Sequence, residues 1–264
     1  MKRKSWIYRI IAGLLVCILI VACYTNPHTG RKELMLMSPQ EEAELGFSTF
    51  NDIKSQTPVS TDPAQIEAVR RVGQRIAGQV HLPYAEWEFV TFKADDTPNA
   101  FCLPGGKVGI YTGILPLTQD DAGLATVIGH EVAHAVARHG GERMSQALLV
   151  NLGGMALSVA LKDKPELTQQ LALGAYGVGA NLAYMLPYSR KHELEADYMG
   201  LLFMAKAGYD PREAVNFWQR FKAWSDQRGG GTPEFLSTHP LDERRIRELQ
   251  IHMSEAMAIY EGRG

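Results

Sequence analysis

The sequence predicts an α+β protein, mainly helical, with a small antiparallel sheet beside a central H-E-x-x-H helix. Three observations lead there. The stretch Val127–Arg138 is apolar or small around His130, Glu131 and His134. Upstream, an alternating apolar and polar run precedes two strand-like segments that flank Pro104-Gly105-Gly106. Downstream, an acidic helical stretch carries Glu193, Glu195 and Asp197. On a helix, residues i and i+4 lie one turn apart on one face, so His130 and His134 can share one metal ion. Glu131 sits one position round and reaches a water on that ion.

Length and composition suit one large globular domain or two small ones. Of 264 residues, 45% are hydrophobic and 21% charged. A net charge of -2 gives no general attraction to nucleic acid, and none is expected as a partner. No repeat of 20–50 residues is present.

The N-terminus reads as a targeting segment. Lys2, Arg3, Lys4 and Arg9 precede the apolar run Ile10–Ala22, which is short for a membrane span. The run ends in Ile20-Val21-Ala22-Cys23, which resembles the lipobox of bacterial lipoproteins. That resemblance implies cleavage after residue 22 and lipidation of Cys23. It implies a lipid-anchored protein on the periplasmic side of a bacterial cell envelope, at the outer membrane because Tyr24 rather than Asp follows. Residues 1–22 are then signal peptide, 23–37 a lipid-anchored tether, and 38–264 a single domain. Losing residues 1–22 leaves 23 basic against 29 acidic residues, a charge of -6. Cys102 remains as a lone thiol, so no intramolecular disulfide is expected.

Along the chain, Asn26–Gly30 is turn-rich and Lys32–Met37 reads as a short strand. Ser38-Pro39-Gln40-Glu41 starts a helix to about Ser55. Asp62-Pro63 starts a second, to about Gln79, with Ile66, Val69, Val72 and Ile76 on one face. Trp87–Lys93 alternates like a strand. Asn99–Leu103 and Lys107–Thr112 form a hairpin. The metal-site helix runs over Asp120–Gly140, capped by Asp120 or Asp121 and ended by Gly140-Gly141.

Gln146–Leu161 and Leu171–Leu186 are apolar, rich in Gly and Ala, and separated by charged residues. They read as a buried helical hairpin capping the core, with contact to lipid or a greasy substrate as the alternative. Ser189–Ala207 is a helix stopped by Gly208. The next runs to about Gln227, with Phe217, Phe221 and Trp224 as a core stripe. Gly229–Gly231 lies in a loop. Ser237-Thr238-His239-Pro240 precedes a charged helix, Leu241–Glu261.

A zinc site with two histidines commonly takes a carboxylate as third protein ligand and keeps a fourth position for water. Glu193 fits as that ligand, with one Zn2+ per chain. Asp197, four residues on, can accept the free ring N–H of a ligand histidine. Glu195 falls on the opposite side of the helix. His192 is a weaker alternative ligand, and His139, at i+5 from His134, points elsewhere.

These residues carry a resemblance. N-A-F-C-L-P-G-G-K at Asn99–Lys107, G-H-E-V-A-H-A-V at Gly129–Val136, P-Y-S-R-K at Pro187–Lys191 followed by E-x-E-A-D, and L-S-T-H-P at Leu236–Pro240 occur in order. Together they resemble the gluzincin metallopeptidases of the HtpX, BepA and CAAX prenyl protease type. They resemble more closely the mitochondrial overlapping-activity stress proteases and their bacterial relatives. The resemblance implies a zincin-like metallopeptidase domain with zinc on His130, His134 and Glu193, and Glu131 catalytic. It implies that a strand at Asn99, Ala100 and Phe101 pairs with extended substrate. It also implies that His239 approaches the metal as a gate or as a donor to the substrate carbonyl oxygen, for which Tyr188 is an alternative. The function expected is a zinc endopeptidase acting on unfolded or misassembled envelope proteins. The rival is an envelope chaperone whose zinc is structural, against which the open fourth position argues.

Overall fold

The structure is a computed structural model and describes residues 23–181, 185–227 and 233–262. The expected signal peptide, residues 1–22, and the Gly229–Gly231 loop lie outside these residues. The chain forms two compact units. One is Met1–Ser38 with Gly140–Met185, the other Pro39–His139 with Leu186–Gly264. The expected single domain over 38–264 is thus divided, because the helical hairpin bonds with the N-terminal segment. Arg31 pairs with Glu142 at 2.8 Å, and the Leu36 N–H donates to Ser145 Oγ at 2.9 Å.

In that first unit, β1 (Cys23–Thr25) and β2 (Lys32–Leu34) pair antiparallel across the Asn26–Gly30 turn. The segment expected as a tether is therefore a small hairpin. Helices α5 (His139–Leu161) and α6 (Glu166–Ala180) follow later in the chain. The expectation that this helical hairpin is buried is overturned: α6 has no buried residue. Leu148, Leu152, Met155, Val159, Leu167, Leu171 and Val178 are all exposed. The small residues let the helices meet each other, where Tyr176 Oη donates to Val150 O, and the long apolar side chains face outward. By length and composition α5 is able to cross a membrane.

The second unit holds α1 (Pro39–Gln56) and α2 (Pro63–Ala77). Asp62 caps α2, accepting from the Ala64 and Gln65 N–H groups, and Val69, Val72 and Ile76 face the core. Strands β3 (Glu88–Phe92), β4 (Ala100–Leu103) and β5 (Lys107–Tyr111) form a sheet in the order β3-β5-β4. The hairpin β4–β5 is antiparallel, as expected, and turns on Gly105 and Gly106, whose φ of +84° and +78° suits glycine. The sheet is not antiparallel throughout. The chain reverses between β3 and β4, the hairpin folds β5 back between them, and β5 therefore runs parallel to β3.

Helix α3 (Leu115–Thr118) leads into α4 (Asp121–Val136), which carries the H-E-x-x-H motif. Asp120 caps α4 by accepting from the Ala122 and Gly123 N–H groups, both at 2.9 Å. Every residue of α4 from Gly123 to Val136 is buried. Helix α7 (Leu186–Lys206) packs along it. Then come α8 (Arg212–Gln227), the short and unforeseen α9 (Glu234–Thr238), and α10 (Glu243–Tyr260). Phe217 and Phe221 are buried, and Trp218 stacks on Phe235 at 5.8 Å.

Gly140-Gly141 does not end the metal-site helix. α4 stops at Val136, Arg138 takes a left-handed φ of 56°, and both glycines fall in the first turn of α5. A buried ion pair holds the break: Arg138 Nε and Nη2 donate to Glu42 Oε2 and Oε1 at 3.0 and 2.8 Å.

The tightest approach is α4 on α7. A Cβ at Gly200 would sit 2.9 Å from Gly129 C and 2.9 Å from His130 N, against backbone that has nowhere to go. Gly200→Ala is therefore expected to force the helices apart and cost about 1–3 kcal/mol. Thermal unfolding of the metal-free protein measures it; an unchanged Tm would mean that the helices absorb the methyl group.

Candidate metal centre and active site

One face of α4 and one face of α7 bring the donors together. His130 Nε2 and His134 Nε2 are 3.1 Å apart. Glu193 Oε2 lies 3.3 Å from His130 Nε2, and Glu193 Oε1 3.4 Å from His134 Nε2. His239, at the C-terminal end of α9, places Nδ1 3.3 Å from His130 Nε2 and 3.1 Å from Glu193 Oε2. The four residues are buried, and their donor atoms all lie within 4.8 Å of one another. A tetrahedral ion with bonds of about 2.0–2.1 Å holds its ligands roughly 3.3 Å apart, so the donor set fits such an ion. Glu131 stands outside this set. It is buried, with Oε1 3.4 Å from His239 Nε2.

Around the donors lies a shell of charge. Asp197 Oδ1 is 3.0 Å from His130 Nδ1. Arg245, from α10, donates through Nε and Nη2 to both Asp197 oxygens at 2.7 Å. Its Nη1 is 3.1 Å from Glu193 Oε2 and donates to the His239 and Pro240 carbonyls. The guanidinium lies over Trp218, 4.2 Å from the ring centroid. Sequence reasoning missed Arg245. A signal existed: it shares a helical face with the buried Leu249 and Ala256, an unusual place for an arginine.

His139 does not point elsewhere. Its Nδ1 lies 2.8 Å from His134 Nδ1, its Nε2 3.1 Å from Glu195 Oε2, and its ring stacks on His192 at 4.2 Å. The two histidines meet because the helix is not continuous between them: it stops at Val136, and the left-handed Arg138 turns the chain back. His192 is buried against His139 and outside the donor set.

The charges shift one another. Burial lowers the His130 pKa, but hydrogen bonds to Asp197 and Glu193 outweigh it and raise it to about 9. Burial drives His134 well below the usual histidine range. Burial opposes ionisation of Glu193, yet His134, His130, His239 and Arg245 hold it well below the usual carboxylate range. Asp197 is lowered in the same way against burial, chiefly by Arg245. Burial pushes the Cys102 thiol up, so it stays protonated.

Of the other expected residues, Ala100 and Phe101 lie on β4, with Asn99 just before it. Among the described residues β4 is an edge strand, paired only with β5, and it packs against α4. A cleft of about 350 Å³ bounded by Arg190, Pro240 and Arg244 reaches Glu193. The backbone of Cys23 pairs with Leu34 in β1. The side chain of Tyr188 lies outside the described residues.

The model of peptidase family M48 matches residues 63–252. The chain belongs to this family. It is similar to the mitochondrial metalloendopeptidase OMA1 of Schizosaccharomyces pombe, 34% identical over 264 residues that cover 98% of this chain and 75% of the relative. The human metalloendopeptidase OMA1, mitochondrial, is 32% identical, over 89% of this chain and 47% of its own length. The beta-barrel assembly-enhancing protease of Escherichia coli is 23% identical, over 86% and 46%. This M48 chain is thus a metalloendopeptidase with a mainly helical, zincin-like fold. The same matches correct the expected location at a bacterial outer membrane, since the yeast, plant and animal relatives are mitochondrial. A short apolar run ending at a cysteine fixes an address only through the machinery that reads it, and composition alone does not name that machinery.

Because metal-free His130 is held protonated to about pH 9, a metal ion must displace that proton. Metal binding near pH 7 is expected to release about one proton, and affinity to rise with pH up to about 9. Calorimetry in buffers of different ionisation enthalpy reads this; a heat independent of buffer would exclude it.

Proposed function

We propose that this M48 peptidase is a zinc endopeptidase that cuts unfolded or misassembled protein segments and is latent until His239 moves. The observation that carries the reading is the donor set: four buried residues whose donor atoms lie within 4.8 Å of one another, with Glu131 beside it but outside it. His130, His134 and Glu193 would hold the ion. Bound there, zinc would supply a Lewis acid for the scissile carbonyl and lower the pKa of a water toward ~7. Glu131 is placed to take the proton of the attacking water and pass it to the leaving amine. Edge strand β4 offers backbone N–H and C=O groups to an extended segment, a mode that selects for unfolded chain more than for side chains.

His239 Nδ1 lies 3.3 Å from His130 Nε2 and 3.1 Å from Glu193 Oε2, which supports it as a fourth donor in the position a water would take. A closed set of four protein donors also characterises structural zinc, which keeps the chaperone reading in view. Glu131 argues against it. It follows His130 directly in the motif, and a buried carboxylate beside an ion-bound water is suited to take that water's proton. Once His239 swings aside, its imidazole is positioned to donate to the developing oxyanion.

Glu131→Gln is expected to keep zinc and the fold and to lower hydrolysis of unfolded casein by about 10²–10⁴-fold. Retention of most activity would remove the base from the mechanism. His239→Ala is expected to raise basal casein hydrolysis several-fold at unchanged zinc content. Lower turnover would assign His239 to the carbonyl oxygen instead, and unchanged activity and metal affinity would leave it neither role.

A further inference from the structure

Two carboxylates of α7 stand behind the two histidines, one directly and one at a remove. Asp197 meets His130 Nδ1 at 3.0 Å. Glu195 meets His139 Nε2 at 3.1 Å, and His139 Nδ1 meets His134 Nδ1 at 2.8 Å. We propose that His139 and Glu195 act as a relay that sets the tautomer and ring orientation of His134 for metal binding. The proposal rests on the reading of His130, His134 and Glu193 as ligands.

The proton count leaves one arrangement. A ligand nitrogen presents a lone pair, and His134 Nε2 is the nitrogen facing the other donors. Its proton therefore sits on Nδ1. That N–H donates to His139 Nδ1, which must accept. The proton of His139 then sits on Nε2 and donates to Glu195. A carboxylate at the end of the chain favours each step in this direction, as it does when it meets a ligand histidine directly.

The relay is built to stay in place. His139 is fully buried and Glu195 nearly so. The imidazole of His139 lies flat on His192, with the rings 15° from parallel. Arg138, bonded to Glu42, holds the left-handed break that aims His139 at His134. Glu193, Glu195 and Asp197 thus serve one metal centre at three depths: the first among the donors, the last on His130, and the middle one on His134 through His139.

The test is zinc affinity of the full-length protein, read by competition with a fluorescent chelator. His139→Phe keeps a flat ring against His192 and removes both nitrogens. It is expected to weaken Zn2+ binding by about 10–100-fold, and Glu195→Leu by a similar factor. Glu195→Gln keeps an acceptor oxygen without the charge and should lose less than about tenfold. Because the two residues act as one chain, the double variant His139→Phe with Glu195→Leu should bind zinc no more weakly than the worse single variant. A purely structural role would instead lower the Tm of the metal-free protein, give additive losses, and let Glu195→Gln bind as Glu195→Leu does. Additive losses, or wild-type affinity in Glu195→Leu, would overturn the relay. Should His139→Phe fail to fold, the ranking of Glu195→Gln above Glu195→Leu decides alone. Glu193→Ala separates the two readings: if it binds zinc like wild type, the ligand assignment itself fails; if it loses zinc while the relay variants do not, only the relay does.

Discussion

Helix α4 lies so close to α7 that backbone touches backbone, and the metal centre depends on this contact. Gly129 and Gly200 meet there, and a Cβ at Gly200 would fall 2.9 Å from the facing backbone. Gly129 immediately precedes His130, and Gly200 lies three residues beyond Asp197. The crossing therefore sets the distance between the histidine face of one helix and the acidic face of the other. Donors carried on two packed helices keep their spacing far better than donors on loops. The separations of 3.1–3.4 Å among His130, His134 and Glu193 follow from that packing.

Bringing two carboxylates into the core creates a second demand. Glu193 and Asp197 are both buried, and an ionised carboxylate out of water needs a partner. Arg245 supplies it from α10, bonded to both acids and lying over Trp218. Removing one member of such a buried group typically costs about 3–5 kcal/mol, because the other charge stays behind unpaired. The last helix is thus part of the centre. The same guanidinium binds the His239 and Pro240 carbonyls, so the residue that pairs with Glu193 and Asp197 also holds the segment that carries His239. Glu42 and Arg138 repeat the logic on the other side, where a buried pair fixes the turn that aims His139.

Much of this was legible in the sequence, for a physical reason. Helix faces, caps and tight turns depend on residues a few positions apart. The pairing of His130 with His134, of Glu193 with Asp197, the Asp62 and Asp120 caps and the turn at Gly105-Gly106 are all local. Hence the hairpin and most helices were placed from spacing, and His130, His134 and Glu193 were named as candidate donors from it, whereas His239 entered only through the resemblance. The hairpin α5–α6 shows the limit of composition. Apolar runs rich in Gly and Ala look alike whether they end in a core or in the open, and the structure leaves theirs exposed.

The sequence by itself determined which side chains are able to bind a metal, move a proton and present an edge strand. Only the tertiary structure decided how they are held. Arg138 meets Glu42 across 96 residues, Arg245 meets Asp197 across 48, and His239 meets His130 across 109. No local pattern announces such pairs, since each becomes favourable only after burial has removed water from both partners. His139 is the sharpest case. It lies five residues from His134, yet its contact requires a left-handed residue that a distant glutamate holds in place.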